Sequence, residues 1–514
     1  MNTFSTKIKL YLLRAFNDPT TTFTVIGSLI LIAFLQYTSR HTFVDADAFY
    51  HGRMASLTEV WRSAQGFHWL QNTTLFKDFA DQQYLFHILL KPFDSPLGLH
   101  IATTLCASIN ILAFLYTLYT YKISWKPLWL TLYISGSATF LLRLNLVKAV
   151  PLFSALLLIT LCAIHRKHVR PLVYLGLIAV LLYGGFILLP LFAIAYTIIS
   201  YIYTKRVEYK PILFLCIGMG IGFVLHPYHA ALPRFLWQQI VESGLQLHAA
   251  VEQGYEWLPY RLHDGMQDIL LFIPWGLAMY GAIKALLYKK IEPHLATTIY
   301  WLGILSIGIF FVMLKSGRYI EYWVPFSLLF CGVVWSALYG KVLNQMSVRN
   351  VLQASVYKKV LYGCIGIGTI ILLAKNVTVS FLALTHGTPT EQFKPAAEWL
   401  MNNTTEGSKI WNTQWDEFPQ LFYWNTHNTY VVGLDPMFMY LKNREDYVLY
   451  ASIANENLLD PGTIHHTLQN VFHTQYIFLE NFRNTDLKHV LSSSPEYFSL
   501  RFEDRSTSIY QLKP

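Results

Sequence analysis

Two carboxylates, Asp45 and Asp47, stand two residues apart in a short segment that also contains Tyr50, His51 and Arg53. The segment comes directly after the first apolar run of the chain. Carboxylates at this spacing can hold a divalent cation such as Mg²⁺ or Mn²⁺, or one can act as a general base while its neighbour tunes it. The alternative is a solvated loop beside a membrane helix.

Basic residues stand at two short connections between later apolar runs. Arg143 and Lys148 bracket the first connection, and Arg318 lies at the second, three residues before Glu321. A guanidinium can hold a phosphate through two parallel hydrogen bonds without losing its charge. The alternative for Arg318 is an interfacial side chain that pairs with Glu321.

The elements that must position these residues are membrane helices. Of 514 residues, 54% are hydrophobic and only 13% are charged, with a mean hydropathy of +0.35, against roughly a quarter charged in soluble proteins. This composition excludes a disordered or ordinary cytosolic protein. The five cysteines all lie in apolar stretches, so no disulfide framework or cysteine metal site is expected.

Uncharged runs predict about eleven transmembrane helices. The run from 171 to 204 is too long for one span, so we divide it at Gly184-Gly185 into a hairpin. The predicted spans are 21–39, 101–121, 127–142, 149–164, 171–186, 187–204, 211–226, 269–287, 295–314, 322–340 and 360–376.

The charge pattern predicts two domains and their sides of the membrane. Residues 1–377 carry a net charge of +15 and residues 378–514 carry −6, which indicates a membrane domain followed by a soluble domain. With the N terminus in the cytoplasm, the predicted cytoplasmic segments hold most of the basic residues of 1–377 and only three acids, as the positive-inside rule requires. The soluble domain and the loops at about 40–100 and 227–268 are then external. Nucleic acid is not an expected partner, because membrane topology explains the positive charge.

The soluble domain is predicted to be α/β. Its expected helices lie near 394–403 and 484–493, and its strands near 409–412, 429–433, 475–480, 497–503 and 508–512. The domain contains no glycine-rich phosphate fingerprint. It is therefore not expected to bind a nucleotide.

The residues from Asp47 to Arg53, Asp-Ala-Phe-Tyr-His-Gly-Arg, resemble a segment of the GT-C glycosyltransferases. In the oligosaccharyltransferase catalytic subunits of that superfamily, the segment reads Asp-Pro-aromatic-aromatic-(His/Asn)-x-Arg and lies in the first external loop. The resemblance implies a polytopic α-helical membrane protein of GT-C type with a C-terminal external α/β domain. It also implies that Asp47 is the catalytic acid of a glycosyltransferase that takes a sugar from a polyprenyl-linked donor.

Further roles are implied by the same resemblance. Arg318 matches an arginine that binds the donor phosphate, and Glu256 lies in a loop that carries an assisting catalytic glutamate. Arg143 and Lys148 stand where metal-using members of the family have a second acidic motif, so two cations without an acid favour direct phosphate binding over a metal. Trp415-Asp416 is similar to the Trp-Trp-Asp motif that grips the acceptor sequon, although Gln414 replaces the first Trp. The alternative for Asp416 is the cap of a helix that begins near Glu417.

The acceptor site is expected to include Tyr50, His51, Arg53 and Asp81 as well as Trp415 and Asp416. Asp81 lies near the end of the first loop, and its alternative role is a helix N-cap.

The sequence thus predicts an inverting glycosyltransferase in a prokaryotic inner membrane. Its expected partners are membrane lipids, a polyprenyl-phosphate or polyprenyl-diphosphate sugar donor, and a glycan, lipid or protein acceptor. No cofactor is certain, and a divalent cation on Asp45 and Asp47 is possible. The alternatives are an oligosaccharyltransferase for protein N-glycosylation, a transporter or flippase for a polyprenyl-linked lipid, and a membrane sensor.

Overall fold

The computed structural model describes residues 18–61, 66–245, 251–252, 254–288, 291–339 and 356–514. The chain forms two compact units, each assembled from three segments. The first unit consists of Met1–Arg40, His100–Val224 and Tyr255–His386. The second consists of His41–Leu99, Leu225–Gly254 and Gly387–Pro514. The predicted boundary between 377 and 378 stays a prediction.

The first unit is helical throughout its described residues. Its helices, of which Pro96–Thr120 begins just inside the second unit, are Pro19–Thr38, Pro96–Thr120, Lys126–Ser135, Ala138–Leu144, Val150–His165, Arg170–Leu182, Leu188–Thr204, Lys210–Leu225, Ile269–Tyr288, Pro293–Lys315, Ile320–Val334 and Val356–Thr385. Short helical turns are Gly184–Ile187, Tyr255–Trp257, Leu262–Gln267, Gly317–Tyr319 and Trp335–Tyr339.

Several of these helices match membrane spans. Within the described residues, seven helical segments are long and apolar enough to cross a membrane, and three shorter apolar helices accompany them. The prediction of a polytopic α-helical membrane protein is confirmed. The count of eleven spans stays a prediction.

Two breaks interrupt the apolar runs. The predicted break at Gly184-Gly185 is confirmed, because Arg170–Leu182 ends there and a 3₁₀ turn, Gly184–Ile187, leads into the next helix. The predicted span 127–142 is instead divided by an extended residue, Ser137, whose hydroxyl accepts a hydrogen bond from the amide of Phe140 at 3.1 Å. A serine that caps a new helix competes with continuation of the old one.

Glycines bring two helices of the first unit close together. A Cβ built on Gly176 would lie 2.6 Å from the carbonyl oxygen of Leu215, and one built on Gly218 would overlap the carbonyl of Val173. Small residues allow such backbone approach between membrane helices, where packing replaces the hydrophobic effect as the main attraction.

The second unit contains a five-stranded mixed sheet, which confirms the predicted α/β class. The strands run in the order Thr429–Tyr430, Lys409–Asn412, Tyr476–Glu480, Thr507–Leu512 and Phe498–Glu503, with the first three parallel and the last two antiparallel to their neighbours. Its helices are Asp47–Leu57, Leu75–Asp78, Tyr84–Leu90, Leu232–Trp237, Lys394–Asn403, Phe418–Trp424, Met437–Lys442, Arg444–Ala454, Pro461–Asn470 and Thr485–Ser493. Short helical turns are Lys91–Phe93 and Gln238–Ser243.

A second, two-stranded sheet lies beside the start of the Asp47 helix, Asp47–Leu57. Thr42–Phe43 pairs antiparallel with Thr388–Pro389, and the amide of Thr390 donates to the carbonyl of His41 at 3.0 Å. These bonds tie the segment after the first apolar helix to the segment after the last one.

Candidate functional site

The carboxylates of the first loop stand at the start of the Asp47 helix. Asp47 is its first residue, and its amide donates to Oδ1 of Asp45 at 2.9 Å. Asp45 therefore satisfies an amide that the helix itself leaves without an internal partner. Asp47 lies in the first turn, where a negative charge is favourable. Both residues are half-buried.

Close packing fixes the Asp47 helix within the second unit. A Cβ on Gly52 would lie 2.8 Å from Leu99 and 2.9 Å from the ring of Tyr423, so only glycine fits without movement of its neighbours. Arg53 donates to the carbonyl oxygen of Tyr423 and lies over the same ring, 5.5 Å from its centre. These contacts make Arg53 part of the packing, and its role toward an acceptor stays a prediction.

Two further candidates, His51 and Asp81, belong to one hydrogen-bonded series with His87. Nδ1 of His87 lies 2.7 Å from Oδ2 of Asp81, and Nε2 of His87 lies 2.8 Å from Nδ1 of His51. The ring of Tyr50 packs edge-on against both histidines. Asp81 also accepts the amide of Gln83 at 3.0 Å, just before the helix Tyr84–Leu90.

In the first unit, three connections meet at what we term the cation cluster: Arg143, Lys148, Arg318, Glu256 and Glu321. The carboxylate of Glu256 lies 3.3 Å from Arg143 Nη2, 3.1 Å from Lys148 Nζ and 3.2 Å from Arg318 Nη1. Arg143 also pairs through Nε with Glu321. The three predicted phosphate ligands and the predicted assisting glutamate are thus in direct contact.

Backbone and side-chain bonds hold the connections of this cluster together. Ser316 Oγ donates to the carbonyl of Glu256 at 3.1 Å, and the amide of Gly317 donates to the carbonyl of Leu258 at 2.8 Å. Arg318 stacks on Trp257, 4.3 Å from the ring centre, and donates to the hydroxyl of Tyr183 at 3.3 Å. The guanidinium plane therefore has a defined orientation.

The neighbouring cations determine the charge state of Glu256. Burial alone would raise the pKa of Glu256, but Arg318, Lys148 and Arg143 together outweigh it and hold that pKa well below its ordinary value. Glu256 is therefore ionised at neutral pH. The three cationic side chains around Glu256 are only 9–18% exposed. Such shielding from water strengthens charge-assisted hydrogen bonds to an anion.

The pairing of Arg318 differs from the alternative set out for it. Arg318 is bound to Glu256, whereas Glu321 is bound to Arg143. Because Arg318 shares Glu256 with Arg143 and Lys148, it belongs to the cation cluster and is not an isolated interfacial anchor.

The Trp415-Asp416 segment lies in the second unit. Both carboxylate oxygens of Asp416 accept from Nη1 of Arg483, at 2.8 and 2.9 Å. The following helix begins at Phe418 with Glu417 as its N-cap residue, so Asp416 precedes the cap. Trp415 packs against the core of the unit. Their roles toward an acceptor stay predictions.

Glu417 is an unusual buried carboxyl beside that segment. It is 2% exposed and accepts hydrogen bonds from the Thr413 hydroxyl at 2.7 Å and the Gln414 amide at 2.9 Å. Burial raises its pKa to about 8, although both hydrogen bonds oppose the shift. Glu417 is therefore largely protonated at neutral pH.

Several residues of these sites were not predicted from the sequence. Tyr183 and Trp257 contact Arg318, and His87 joins Asp81 to His51. A signal existed for Tyr183, because it adjoins the Gly184-Gly185 break on the same predicted side of the membrane as Arg143.

The metal prediction rests on Asp45 and Asp47. Within the residues that the structure describes, no group of three or more His, Cys, Asp or Glu side chains is placed to hold a metal ion. Two carboxylates, one of them engaged by a backbone amide, are a sparse ligand set for Mg²⁺, which takes six ligands. Metal binding here stays a prediction, and no step below passes through it.

Comparison with solved structures relates the whole chain to membrane glycosyltransferases. The oligosaccharyltransferase AglB from Archaeoglobus fulgidus, in complex with an inhibitory peptide and a dolichol-phosphate, superposes with a TM-score of 0.63 at 11% identity, over 96% of this chain and 75% of AglB. The chain has the GT-C fold.

Two further GT-C structures agree with this assignment. ArnT from Cupriavidus metallidurans, bound to undecaprenyl phosphate, gives a TM-score of 0.54 at 13% identity, over 95% of this chain and 97% of ArnT. The arabinofuranosyltransferase AftD from Mycobacteria gives 0.55 at 13% identity, over 95% of this chain and 41% of AftD. No protein-family model matches the sequence, and no curated protein matches it significantly. At these identities the likeness establishes the GT-C fold, and it confirms the predicted resemblance at that level.

Proposed function

We propose that this chain is an inverting GT-C glycosyltransferase that takes a sugar from a polyprenyl-phosphate or polyprenyl-diphosphate donor. The acceptor is a glycan, lipid or protein at the external face of a prokaryotic inner membrane. The observation that carries the proposal is the cation cluster, in which three shielded cations converge on one anionic group in a GT-C fold. The structures of AglB and ArnT, which contain polyprenyl phosphates, support this ligand class.

The proposed reaction divides the work between two groups of residues. Asp47 takes the proton from the acceptor nucleophile as that nucleophile bonds to the anomeric carbon of the sugar. The bond from that carbon to the donor phosphate breaks, and its electron pair leaves with the phosphate. Arg318, with Arg143 and Lys148, stabilises the departing charge. Glu256 keeps the three cations together, and its assistance to the reaction stays a prediction.

The contacts of the cluster support the proposed membrane orientation. The cluster and Tyr183, which contacts Arg318, come from four connections that the charge pattern assigns to the same, external side: those at Tyr183, at Arg143 and Lys148, at Glu256, and at Arg318. Residues that touch must lie on one side of a membrane, so the contacts agree with that assignment. The external location itself is a proposal.

Lipid binding tests the donor class directly. The purified full chain is incubated with undecaprenyl phosphate or with undecaprenol, which lacks only the phosphate, and bound lipid is measured by native mass spectrometry. Retention of the phosphate form, reduced in Arg318→Gln, is expected. Equal retention of both lipids would contradict a phosphate site.

Transfer is tested by comparing membranes that contain the chain with membranes that contain Asp47→Asn. Glycolipids, glycans and glycoproteins are profiled by mass spectrometry. A product that requires Asp47 is expected, and identical profiles at equal protein levels would contradict the enzyme.

An oligosaccharyltransferase is the second candidate, favoured by the likeness to AglB along 96% of the chain. The pairing of Asp416 with Arg483 counts against this candidate, because the carboxylate that would bind the sequon already has a partner. Glycosylated Asn-x-Ser/Thr peptides that vanish with Asp47→Asn would select this candidate over the others.

A further inference from the structure

Exposed apolar side chains gather around the first turn of helix Pro96–Thr120. Five of them, which we term the apolar patch, are 39–61% exposed: Leu57, Val60, Trp61, Leu89 and Leu97. Single exposed apolar residues are ordinary on a protein surface, whereas a group of neighbouring ones marks an interaction site. The patch therefore indicates a surface that is covered in the working protein.

Direct contacts join the two segments that carry most of the patch. The ring of Trp61 lies 6.2 Å, between centres, from that of Tyr84, the first residue of helix Tyr84–Leu90. Lys91, directly after this helix, donates through Nζ to the carbonyl of Thr58 at 2.7 Å. The chain from Thr58 to Trp61 therefore runs alongside this helix.

The same segments pack around the beginning of helix Pro96–Thr120. A Cβ built on Gly98 would lie 2.8 Å from the backbone of Phe93, in the turn before this helix. Leu99 packs against Gly52 of the Asp47 helix, where a built Cβ would lie 2.8 Å from the leucine side chain. The first turn of helix Pro96–Thr120 is thus in contact with both segments that carry the patch.

Helix Pro96–Thr120 indicates what covers this surface. It is long and apolar enough to cross a membrane, and it carries aliphatic side chains at every fourth residue that are 47–57% exposed: Leu97, Ile101, Leu105 and Ile109. Residues at that spacing share one face of a helix, so this stripe faces the acyl chains of the lipids. Leu97 belongs both to the stripe and to the patch, so the lipid-facing surface continues from the helix onto the patch.

The residue types of the patch fit the boundary between acyl chains and water. Tryptophan is enriched at this depth, because its ring is apolar while its N–H reaches the polar side. Exposed Lys91 and Glu59 place charged groups at the edge of the patch. A lysine can lay its carbon stem along an apolar surface while its amine stays in a polar one. Such a mixture suits the surface of a bilayer.

We propose that the apolar patch docks on the bilayer surface at which helix Pro96–Thr120 begins, with Trp61 at the level of the lipid head groups. This role goes beyond glycosyl transfer and does not depend on it. Because Leu57 is the last residue of the Asp47 helix, docking holds the end of that helix at the membrane surface. A helix whose apolar side chains enter this boundary is held there by the area that it buries.

Spin labels read the surroundings of the patch directly. The full chain with Cys216→Ala and Cys364→Ala, which removes the two exposed cysteines, is reconstituted in liposomes with a nitroxide on Val60→Cys. Relaxation of the label by oxygen, which concentrates in lipid, is compared with relaxation by a nickel chelate, which stays in water. Oxygen is expected to relax this label more than the chelate does, and a label on Leu89→Cys is expected to give the same result.

Val448→Cys is the matched control, because Val448 is 52% exposed in the same unit but lies outside the patch, in helix Arg444–Ala454. Its label is expected to be relaxed more by the chelate than by oxygen. Stronger relaxation by the chelate at both Val60 and Leu89 would overturn the inference. Labels at both positions that neither reagent reaches would also overturn it, because a protein partner would then cover the patch. None of these outcomes depends on whether transfer is found.

Discussion

At the scale of single residues, Asp47 combines two features of a catalytic base. It heads a packed helix, and its amide rather than its carboxylate is bound by Asp45. The hydrogen bond to Asp45 therefore fixes the backbone of Asp47, and the Asp47 carboxylate does not cap the helix. Substitutions there can remove the base while the local backbone bonds remain.

Asp47→Asn is expected to fold and insert normally but to lose transfer by about 10²-fold or more, the usual scale of a general base. Asp486→Asn is the control, because Asp486 also lies in the first turn of a helix, Thr485–Ser493, and is exposed. Asp45→Asn should cost less, since its oxygen can still accept the Asp47 amide. Transfer at full rate by the Asp47→Asn protein would contradict the role of Asp47 as the general base. If a chelator abolishes the wild-type activity, Asp45 and Asp47 are instead metal ligands.

Arg318→Lys keeps a charge but loses the planar fork that reaches Glu256 and Tyr183 while stacking on Trp257. We expect donor binding or turnover to weaken by about 1–3 kcal/mol, the range for a charge-assisted hydrogen bond. Donor titrations of the variant measure this, with the exposed Arg206→Lys as the control. Unchanged kinetics would contradict the phosphate-binding role of Arg318 and favour the alternative role as an interfacial side chain.

At the scale of elements, the helices Arg170–Leu182 and Lys210–Leu225 depend on glycine at their crossing. Gly218→Ala places a Cβ against the carbonyl of Val173, whereas Gly220→Ala on the same helix meets nothing within 4 Å. We expect Gly218→Ala to destabilise the protein by about 1–3 kcal/mol through overpacking, and Gly220→Ala to be neutral. Thermal unfolding in detergent measures both, and equal melting temperatures would contradict the close approach.

The sheet unit should show a pH dependence that comes from Glu417. Its pKa is about 8 in the folded chain and ordinarily 4.5, so between these values the unfolded chain releases a proton that the folded chain keeps. Folding stability should therefore fall as pH rises from about 4.5 to about 8, by up to about 1.4 kcal/mol per pH unit. Below this window Glu417 is protonated in both states, and above it in neither.

Glu417→Gln, which mimics the neutral acid, should flatten that dependence, and the exposed Glu496→Gln should not. Hydrogen exchange of strand Tyr476–Glu480 in the full chain, measured at pH 5 and pH 8, reports it. An unchanged pH dependence in Glu417→Gln would assign the effect to other groups.

At the scale of the whole molecule, the proposed external location of the reaction depends on the membrane topology. Reporter fusions after Thr390 and after Arg206 are expected on opposite sides of the membrane, the first outside and the second in the cytoplasm. An alkaline phosphatase reporter is active only outside, and a fluorescent protein reporter serves as its cytoplasmic complement. Both fusions on one side would remove the acids of the first loop from the proposed location.

The sequence by itself determined the polytopic helical class, the helix break at Gly184-Gly185, the α/β class of the C-terminal segment and the segment around Asp47. These features depend on hydropathy and on residues near one another in the chain, which are local quantities. Three helices of the C-terminal segment were missed: Met437–Lys442, Arg444–Ala454 and Pro461–Asn470. Local signals existed for the last two, because Asn443 and Asp460 cap them.

Only the tertiary structure decided which charges meet. Arg143 and Glu256 are 113 residues apart, and His51 and His87 are 36 apart, so no periodicity in the sequence relates them. The cations at Arg143 and Arg318 were visible as isolated residues, but their convergence on Glu256 requires three separate connections to be placed together by helix packing. Ion pairs of that kind depend on contacts between segments that are distant in the chain. Membrane spans and helix caps depend on residues that are neighbours in the chain.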